Sequence, residues 1–246
     1  MLFPPLFLHQ ILNKPKQSNV YEKDHFVAAA TVLATAGFSQ VKFGAQVIGN
    51  ASTASFESAG APNFKKPGQA AFGAGIVAEV PIISNVSLRP SLNYLQKNSA
   101  VEFSIPLMPG KTHTVKNTLH CLELPVNIVY SIPLNNMSLY FGAGPSFGYG
   151  LNGKSKYKGW DFEGEGQNIV AVEETTRVFK KEKDGGEGMK RFELSASAIA
   201  GVQFNNGLFL NAGYLAGLTN LGNKDGKFKN NGGQITIGSL LKYKKS

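Results

Sequence analysis

From Val41 onward, apolar and polar side chains alternate along the chain with a period of two, the signature of strands with two unlike faces. Eight such runs can be marked. They cover approximately residues 41–52, 69–80, 86–96, 119–131, 138–151, 191–204, 208–218 and 233–243. The core of each run is close to the roughly ten residues that a tilted strand needs to cross a bilayer. The pattern predicts an all-β fold of eight membrane-length strands.

The connections between these runs alternate in length. The short ones are PIISN (81–85), IPLNN (132–136) and NNG (205–207). The long ones are 53–68, 97–118, 152–190 and 219–232. Short turns on one side and long loops on the other are the plan of an outer-membrane barrel, whereas a soluble barrel has no reason to sort its loop lengths. The sequence therefore predicts an eight-stranded antiparallel up-and-down transmembrane β-barrel.

The two faces of the predicted strands differ sharply in charge. One face is apolar throughout, as in Phe72, Ile128, Phe141, Leu194 and Ile237, and carries no charged residue. A Lys or Arg that faces lipid near the bilayer midplane costs about 2–4 kcal/mol. Because the interior of an eight-stranded barrel is narrow and the other face is rich in Gly, Ser and Asn, we expect the apolar face to point toward lipid.

The polar face supplies the candidate site. It is predicted to form a structural polar network in the lumen, in which three cations and three anions neutralise one another. The network comprises Lys42, Glu79, Arg89, Glu123, Asn127, Glu193 and Lys242. The alternative interpretation, a proton or ion path through Glu79, Arg89, Glu123 and Glu193, conflicts with the little room that eight strands leave for water.

Aromatic residues fall at both ends of the predicted strands, where two interfacial girdles would lie. Those at the short-turn end are Tyr130, Phe204 and Tyr243, and those at the long-loop end are Tyr94, Tyr149 and Phe192. The alternative is that aromatic residues at strand ends reflect β-propensity alone.

Composition removes several other classes of function. The formal net charge is +9, but the basic residues are scattered and do not alternate with aromatic ones, so nucleic acid is not an expected partner. The single cysteine, Cys121, excludes an internal disulfide and multi-cysteine zinc patterns. The four histidines form no ligand cluster, and neither a metal nor a cofactor is expected.

Residues 26–40, FVAAATVLATAGFSQ, follow Lys23 and resemble the apolar region and cleavage zone of a secretory signal peptide. We therefore expect residues 1–40 to be a leader, with the apolar region at about 26–38, and residues 41–246 to be the barrel domain. The alternative is a buried first helix.

The stretch GYGLNGKS (148–155) matches the phosphate-binding pattern G-x-x-x-x-G-K-[ST]. Such a loop binds phosphate only when a helix follows it, and KYKGWDFEGEGQ after Ser155 has poor helix propensity. Nucleotide binding is therefore not expected. Gly148 and Gly150 are predicted to line a crowded lumen, and Gly153, Lys154 and Ser155 to begin an exterior loop.

Small outer-membrane barrels are in some cases lipid-active enzymes or proteases, and such activity needs a His beside a Ser or a carboxylate. His113 and His120 lie in or near the second long loop. Glu123 points inward by parity and His120 outward, so the two do not face each other, and the protein is predicted not to be an enzyme.

Several segments resemble the PorT-like outer-membrane β-barrel family of Bacteroidetes. They are LRPSLNYLQK (88–97), LELPVNIVY (122–130), YFGAGPSFGYGLNGK (140–154), KRFELSASAIAGVQF (190–204) and NGLFLNAGYLAGLTNL (206–221). The resemblance covers most of residues 41–246. It implies an outer-membrane location and does not imply one activity.

The sequence thus predicts a non-catalytic outer-membrane barrel in contact with the lipid bilayer. It would act as a structural element or as a platform whose long loops meet protein partners outside. The alternatives are an accessory subunit of a protein secretion system, with binding carried by loops 97–118 and 152–190, and a lipid-active barrel enzyme.

Overall fold

A computed structural model describes most of the predicted barrel domain. The described residues are 41–57, 68–105, 107–163, 168–222 and 227–241. The predicted leader, including its apolar region, lies outside the described residues, as do Lys242 and Tyr243. Within the described ranges, no helix has the length and hydropathy needed to cross a bilayer.

The described residues form nine strands and one short 3-10 helix, Glu182–Asp184. The strands are β1 (Lys42–Glu57), β2 (Gln69–Ile83), β3 (Val86–Ser104), β4 (Thr112–Pro133), β5 (Met137–Glu163), β6 (Asn168–Arg177), β7 (Phe192–Phe204), β8 (Leu208–Gly217) and β9 (Lys227–Leu241). All pairings between these strands are antiparallel.

Eight of the nine described strands close into a ring in the order β1–β2–β3–β4–β5–β7–β8–β9, because β9 pairs with β1 and β4 pairs with β5. The predicted eight-stranded antiparallel up-and-down barrel is confirmed. Strand β5 pairs with two different strands along one of its edges. Its residues 137–149 pair with β7, and its residues 154–163 pair with β6, which therefore stands outside the ring.

The strands are longer than the sequence predicts at the long-loop end. β3 continues to Ser104, β4 begins at Thr112, and β5 is 27 residues long and ends at Glu163. Loops 97–118 and 152–190 are thus largely strand, and the prediction that Gly153 to Ser155 begin an exterior loop is wrong. The apolar alternation stops near residue 151 although the pairing continues, because polar residues take over the outward positions there.

Side chains sort between the two faces as predicted. Phe141 and Ile237 on the outer face are 54% and 55% exposed, whereas Arg89 and Glu123 inside the ring are 4% and 2% exposed. Because hydrogen-bonded strands surround these two charges, their partners must come from other lumen residues.

Aromatic residues mark the long-loop end of the apolar band. The strand register places Tyr94 opposite Leu122, Leu122 opposite Tyr149, and Tyr149 opposite Phe192. The three aromatic residues are about half exposed on the outer face. We call this the outer aromatic row. At the short-turn end, Tyr130 and Phe204 are likewise exposed.

Close approach of the backbone inside the ring generates a stability prediction. A Cβ added at the inward-facing Gly144 would overlap the carbonyl group of Val126, whereas a Cβ at the outward-facing Gly233 would meet no atom within 4 Å. We expect Gly144→Ala to lower the free energy of unfolding by about 1–3 kcal/mol, since backbone must move to admit the methyl group. Gly233→Ala should be close to neutral.

The two variants are compared by urea unfolding in detergent, with folded and unfolded barrels separated on a gel without boiling. Equal unfolding midpoints for Gly144→Ala and Gly233→Ala would show that the interior is not packed as described.

Candidate functional site: a closed lumen beneath an outer strand extension

Three charged residues meet at the short-turn mouth of the lumen. Lys42 Nζ lies 2.7 Å from Glu79 Oε1, and the Arg89 guanidinium pairs with the other oxygen of the same carboxylate. Arg89 Nη2 also donates to Gln203 Oε1 at 2.6 Å. We call this the inner-mouth cluster. Lys42, Glu79 and Gln203 line a cavity of about 170 Å³ together with residues of the first short turn. Glu79 thus has two cationic partners, one buried and one partly exposed.

An apolar layer packs against the inner-mouth cluster. The ring of Tyr140 is fully buried, and the Arg89 guanidinium carbon lies 4.3 Å from its centre. The Tyr140 hydroxyl accepts a hydrogen bond of 3.0 Å from Asn211 Nδ2. The layer is completed by Val77, Val129, Phe209 and Leu240, with Ile199 packed against it. These side chains close the bore with hydrocarbon and leave the tyrosine hydroxyl satisfied.

A polar layer separates this apolar layer from the long-loop half. Gln46 Nε2 donates to Asn93 Oδ1 at 2.7 Å, and Asn93 Nδ2 donates to Ser91 Oγ at 3.1 Å. Asn127 lies opposite Arg89 in the strand register and is buried. The cavity at this level measures only about 40 Å³. Such a space holds only a few water molecules, which is too little for a continuous aqueous channel.

A second charged cluster lies nearer the long-loop end. Lys97 Nζ lies 2.5 Å from Glu123 Oε1 and 2.9 Å from Glu193 Oε2, and all three side chains are buried. Gly148 stands between the two glutamates in the register, opposite Glu123 on one side and Glu193 on the other. The Lys97 ammonium group therefore pairs with carboxylates from two strands, and Gly148 on the strand between them has no side chain to obstruct the contact.

An apolar cap covers this outer cluster. After β6 the chain folds back, and the backbone N–H of Val178 donates to the carbonyl of Gly153 at 3.1 Å. The cap consists of Leu119, Cys121, Val178, Met189, Leu221 and Phe228, with Phe179 packed against it. The lumen is thus crossed by hydrocarbon at two levels, with ionic and polar groups confined between and below them.

The glycines of the phosphate-loop look-alike make room for these contents. An added Cβ at Gly150 would overlap the ring of Phe179, and one at Gly153 would crowd Leu119 and Val178. The whole stretch belongs to β5, and no helix follows it. Its resemblance to a nucleotide site therefore arises from packing of the cap and the outer cluster.

Beyond the cap, β3, β4, β5 and β6 continue as an outer strand extension. From Tyr149 to Glu163, β5 covers about 45 Å of extended chain at about 3.3 Å per residue. Inside this extension His113 is fully buried, with Nδ1 2.7 Å from the Tyr157 hydroxyl and its ring stacked 5.3 Å from that of Phe103. The extension thus has a small packed interior of its own.

The outward face of the extension is strongly basic. Lys158 Nζ lies 3.1 Å from Glu173 Oε2, and Lys156 pairs with the other oxygen of this carboxylate. Hydrogen bonds from Lys156 and then Lys158 lower the pKa of Glu173. Lys116 and Lys154 are exposed and have no ion-pair partner within the described residues.

The predicted lumen residues are thus placed in two groups. Lys42, Glu79 and Arg89 meet at the inner mouth, Glu123 and Glu193 meet at the outer cluster, and Asn127 lies between. Lys97, which joins the outer cluster, is not part of the predicted network. Its position continues the odd-numbered inward parity of Arg89, Ser91, Asn93 and Leu95, and that parity was the signal that could have identified it.

Catalytic and metal-binding arrangements are not found among these side chains. Each buried glutamate is ion-paired, and His120 Nδ1 lies 2.7 Å from the Tyr94 hydroxyl, on the outer face. In the part of the chain that the structure describes, no group of three or more His, Cys, Asp or Glu residues could hold a metal ion.

A closed antiparallel ring, an apolar outer band with aromatic residues at both ends and an ion-paired interior together define a transmembrane β-barrel of the outer-membrane type. The family model described as an outer membrane protein beta-barrel domain matches residues 29–223. The chain belongs to this family, and the protein is located in the outer membrane, in contact with its lipid bilayer.

Three solved structures are weakly similar to this chain. OprG from Pseudomonas aeruginosa is 12% identical with a TM-score of 0.45, over 83% of this chain and 97% of that one. Neisserial surface protein A is 15% identical with a TM-score of 0.36, over 82% and 97%. Ail of Yersinia pestis is 15% identical with a TM-score of 0.35, over 81% and 99%. No curated protein matched the chain.

The two charged clusters lead to unequal expectations for the same substitution. Lys97→Met leaves two buried carboxylates without a cation, and we expect it to lower the free energy of unfolding by about 3–5 kcal/mol. Lys42→Met should cost only about 1 kcal/mol or less, because Lys42 is partly exposed and Arg89 still pairs with Glu79. Urea unfolding in detergent measures both.

The triple variant Lys97→Met, Glu123→Gln, Glu193→Gln is the control, since it removes the whole set of charges. It should regain much of the stability that Lys97→Met alone loses. Similar losses for Lys97→Met and Lys42→Met would contradict the described pairing.

Proposed function

We propose that this protein is a non-catalytic, non-conducting barrel that acts as a structural element of the outer membrane and displays its outer strand extension to protein partners. The observation that carries the proposal is the closed lumen beneath a long, paired extension. Two apolar layers and two ion-paired clusters fill the bore. The described residues leave no open path for a solute through the barrel. The exposed surface that is suited to interactions is therefore the outer strand extension.

The β5–β6 hairpin is the best-placed part of the extension for a partner. In the described chain, β6 pairs as a strand with β5 alone, and only its last residue, Arg177, forms a further bridge, to Gly186. An unpaired strand edge presents backbone donors and acceptors to which another chain can add a strand. Phe162 and Ile169, opposite each other near the hairpin tip, are exposed and add apolar contact area.

We also propose membership of the PorT-like subtype within the family. The support is the ordered set of segments from LRPSLNYLQK to NGLFLNAGYLAGLTNL. An accessory role in protein secretion is the second candidate, and the unpaired edge of β6 favours it because strand addition suits recognition of another polypeptide. A lipid-active enzyme is disfavoured because His120 Nδ1 pairs with the Tyr94 hydroxyl and, within the described residues, no hydrogen bond joins His120 to a Ser or a carboxylate.

The closed lumen predicts the behaviour of the protein in planar bilayers. We expect the purified full chain to insert without producing discrete conductance steps, because both apolar layers exclude water from the bore. Reproducible steps of a size that requires an open aqueous pore would contradict a filled lumen.

The display role is tested by shortening the hairpin. Residues 158–173 are replaced by Asn-Gly, which joins Tyr157 to Glu174, a pair opposite each other in the register, with a favourable two-residue turn. We expect a heat-modifiable barrel in the outer membrane at normal abundance. We also expect the complex that contains the barrel after mild solubilisation to shrink on a native gel.

The matched control shortens the neighbouring β3–β4 hairpin by replacing 102–114 with Asn-Gly, which joins Val101 to Val115. This variant should keep the larger complex. A parent protein that migrates as a lone barrel, or a 158–173 deletion that keeps the larger complex, would refute the proposal. Loss of secreted proteins from the 158–173 deletion strain would assign the role to secretion.

A further inference from the structure

Like charges stand directly opposite each other on the outward face of the extension. The register places Lys154 on β5 opposite Arg177 on β6, and Lys156 on β5 opposite Lys116 on β4. Lys158 continues the series two residues further along β5. Like charges in directly opposed positions destabilise a pair of strands. These like-charge pairs therefore destabilise the strand pairing when no anion is bound.

The acidic residues on this face do not neutralise it. The Glu173 carboxylate forms ion pairs with both Lys156 and Lys158. Glu102, the second acidic residue, lies on β3 opposite Thr114. Lys116, Lys154 and Arg177 are exposed and have no ion-pair partner within the described ranges. Five cations thus face outward against two carboxylates. We call Lys116, Lys154, Lys156, Lys158 and Arg177 the basic face.

The height of the basic face above the lipid-exposed band places it close to the lipid head groups. Lys154 lies five residues beyond Tyr149 of the outer aromatic row, with a bulge in the β4–β5 pairing between them. At about 3.3 Å per residue and a strand tilt of about 40°, this corresponds to roughly 10–13 Å along the membrane normal. Aromatic rows lie at the level of the lipid head groups. Long lysine side chains can reach back toward that level.

We propose that the basic face binds phosphate groups of a phosphorylated glycolipid in the outer leaflet, packed against the β4–β5–β6 wall. The negative charge of the lipid offsets the like-charge pairs, and its acyl chains lie along the apolar band directly below. This inference goes beyond the display of the hairpin tip, since it concerns the wall below the tip and needs no protein partner.

The test measures equilibrium binding of fluorescent diphosphoryl lipid A to the purified full chain in detergent micelles, by anisotropy. The variant carries Lys116→Gln, Lys154→Gln and Arg177→Gln. Each basic residue near an anionic lipid surface contributes about fivefold to binding, so we expect the Kd to rise on the order of a hundredfold. Dephosphorylated lipid A should bind the parent protein as weakly as the variant does.

The matched control carries Lys180→Gln, Lys183→Gln and Lys190→Gln, which removes the same charge from exposed positions outside strands β4, β5 and β6. It should keep the parent Kd within about twofold, since none of the three lysines belongs to the β4–β5–β6 wall that would face the lipid. Equal losses in both triple variants would overturn the proposal, as would parental binding by the basic-face variant. If inorganic phosphate competes with the labelled lipid as well as unlabelled lipid A does at matched phosphate concentration, the proposal is also overturned, because the site would then bind phosphate without recognising the lipid.

Folding of each variant is checked by its heat-modifiable band. If the basic-face triple variant fails to fold, Lys154→Gln alone decides the matter, with an expected rise in Kd of about fivefold. An unchanged Kd for that single variant would overturn the proposal. Shortening of the hairpin at 158–173 keeps Lys116, Lys154, Lys156 and Arg177, so failure of the display role leaves this test unaffected.

Discussion

The structure depends on pairing every charge that the narrow bore encloses. Eight strands leave space for side chains and little else, so a buried carboxylate or ammonium has to find its partner among the residues of the ring. Glu79 is held by Lys42 and Arg89, and Glu123 and Glu193 share Lys97. These contacts connect strands that are far apart in sequence, and they fix which face of each strand points inward.

The same constraint explains the layered lumen. Bulky groups such as Tyr140 and Phe209 alternate in height with small residues and ion pairs, and glycine appears where another chain element has to pass close by. Gly148 leaves the space between two glutamates, and Gly150 leaves the space for Phe179 of the cap. Within the described residues the bore is filled and capped, which supports the proposal that the exposed strand extension is the binding surface.

The ring itself could be predicted from sequence because lipid and lumen impose opposite demands on alternate residues. Period two separates Phe141 and Ile237 from Arg89 and Glu123. The cost of charges in lipid and the small residues of the polar face then place the second pair inward, as the structure shows. Most of the extension could not be predicted in the same way, although IVAVEETTRVFKK (169–181) has strand character in the sequence and contains most of β6. Beyond residue 151 both faces are wet or locally packed, so Lys154, Lys156 and Lys158 alternate with Ser155, Tyr157 and Gly159 and give no apolar signal.

Because the apolar alternation weakens at the long-loop end, Lys97 falls in the predicted loop 97–118. Its odd-numbered position nevertheless indicates an inward side chain. The contacts of the outer cluster could not be found without the strand register, because Lys97, Glu123 and Glu193 lie on three different strands. The cap has no repeating pattern either, since Val178, Met189 and Leu221 come from irregular chain. Long-range packing, rather than local periodicity, brings these residues together.

The central claim, that lipid and a filled lumen divide the two faces of each strand, is tested most directly by a nitroxide scan. Single labels are placed at residues 139, 141, 143, 147 and 149 of β5, which point outward, and at the inward Ser146, in a Cys121→Ser background with the barrel in phospholipid vesicles; folding of each is checked by its heat-modifiable band. Gly142, Gly144 and Gly148 are left unlabelled because they have no room for a side chain. High oxygen accessibility is expected at the five outward positions, and Ser146 should be closed to both oxygen and a water-soluble relaxation agent. Outward positions that contact the water-soluble agent more than oxygen, or a label at residue 146 that is open to the water-soluble agent, would contradict the division of the two faces.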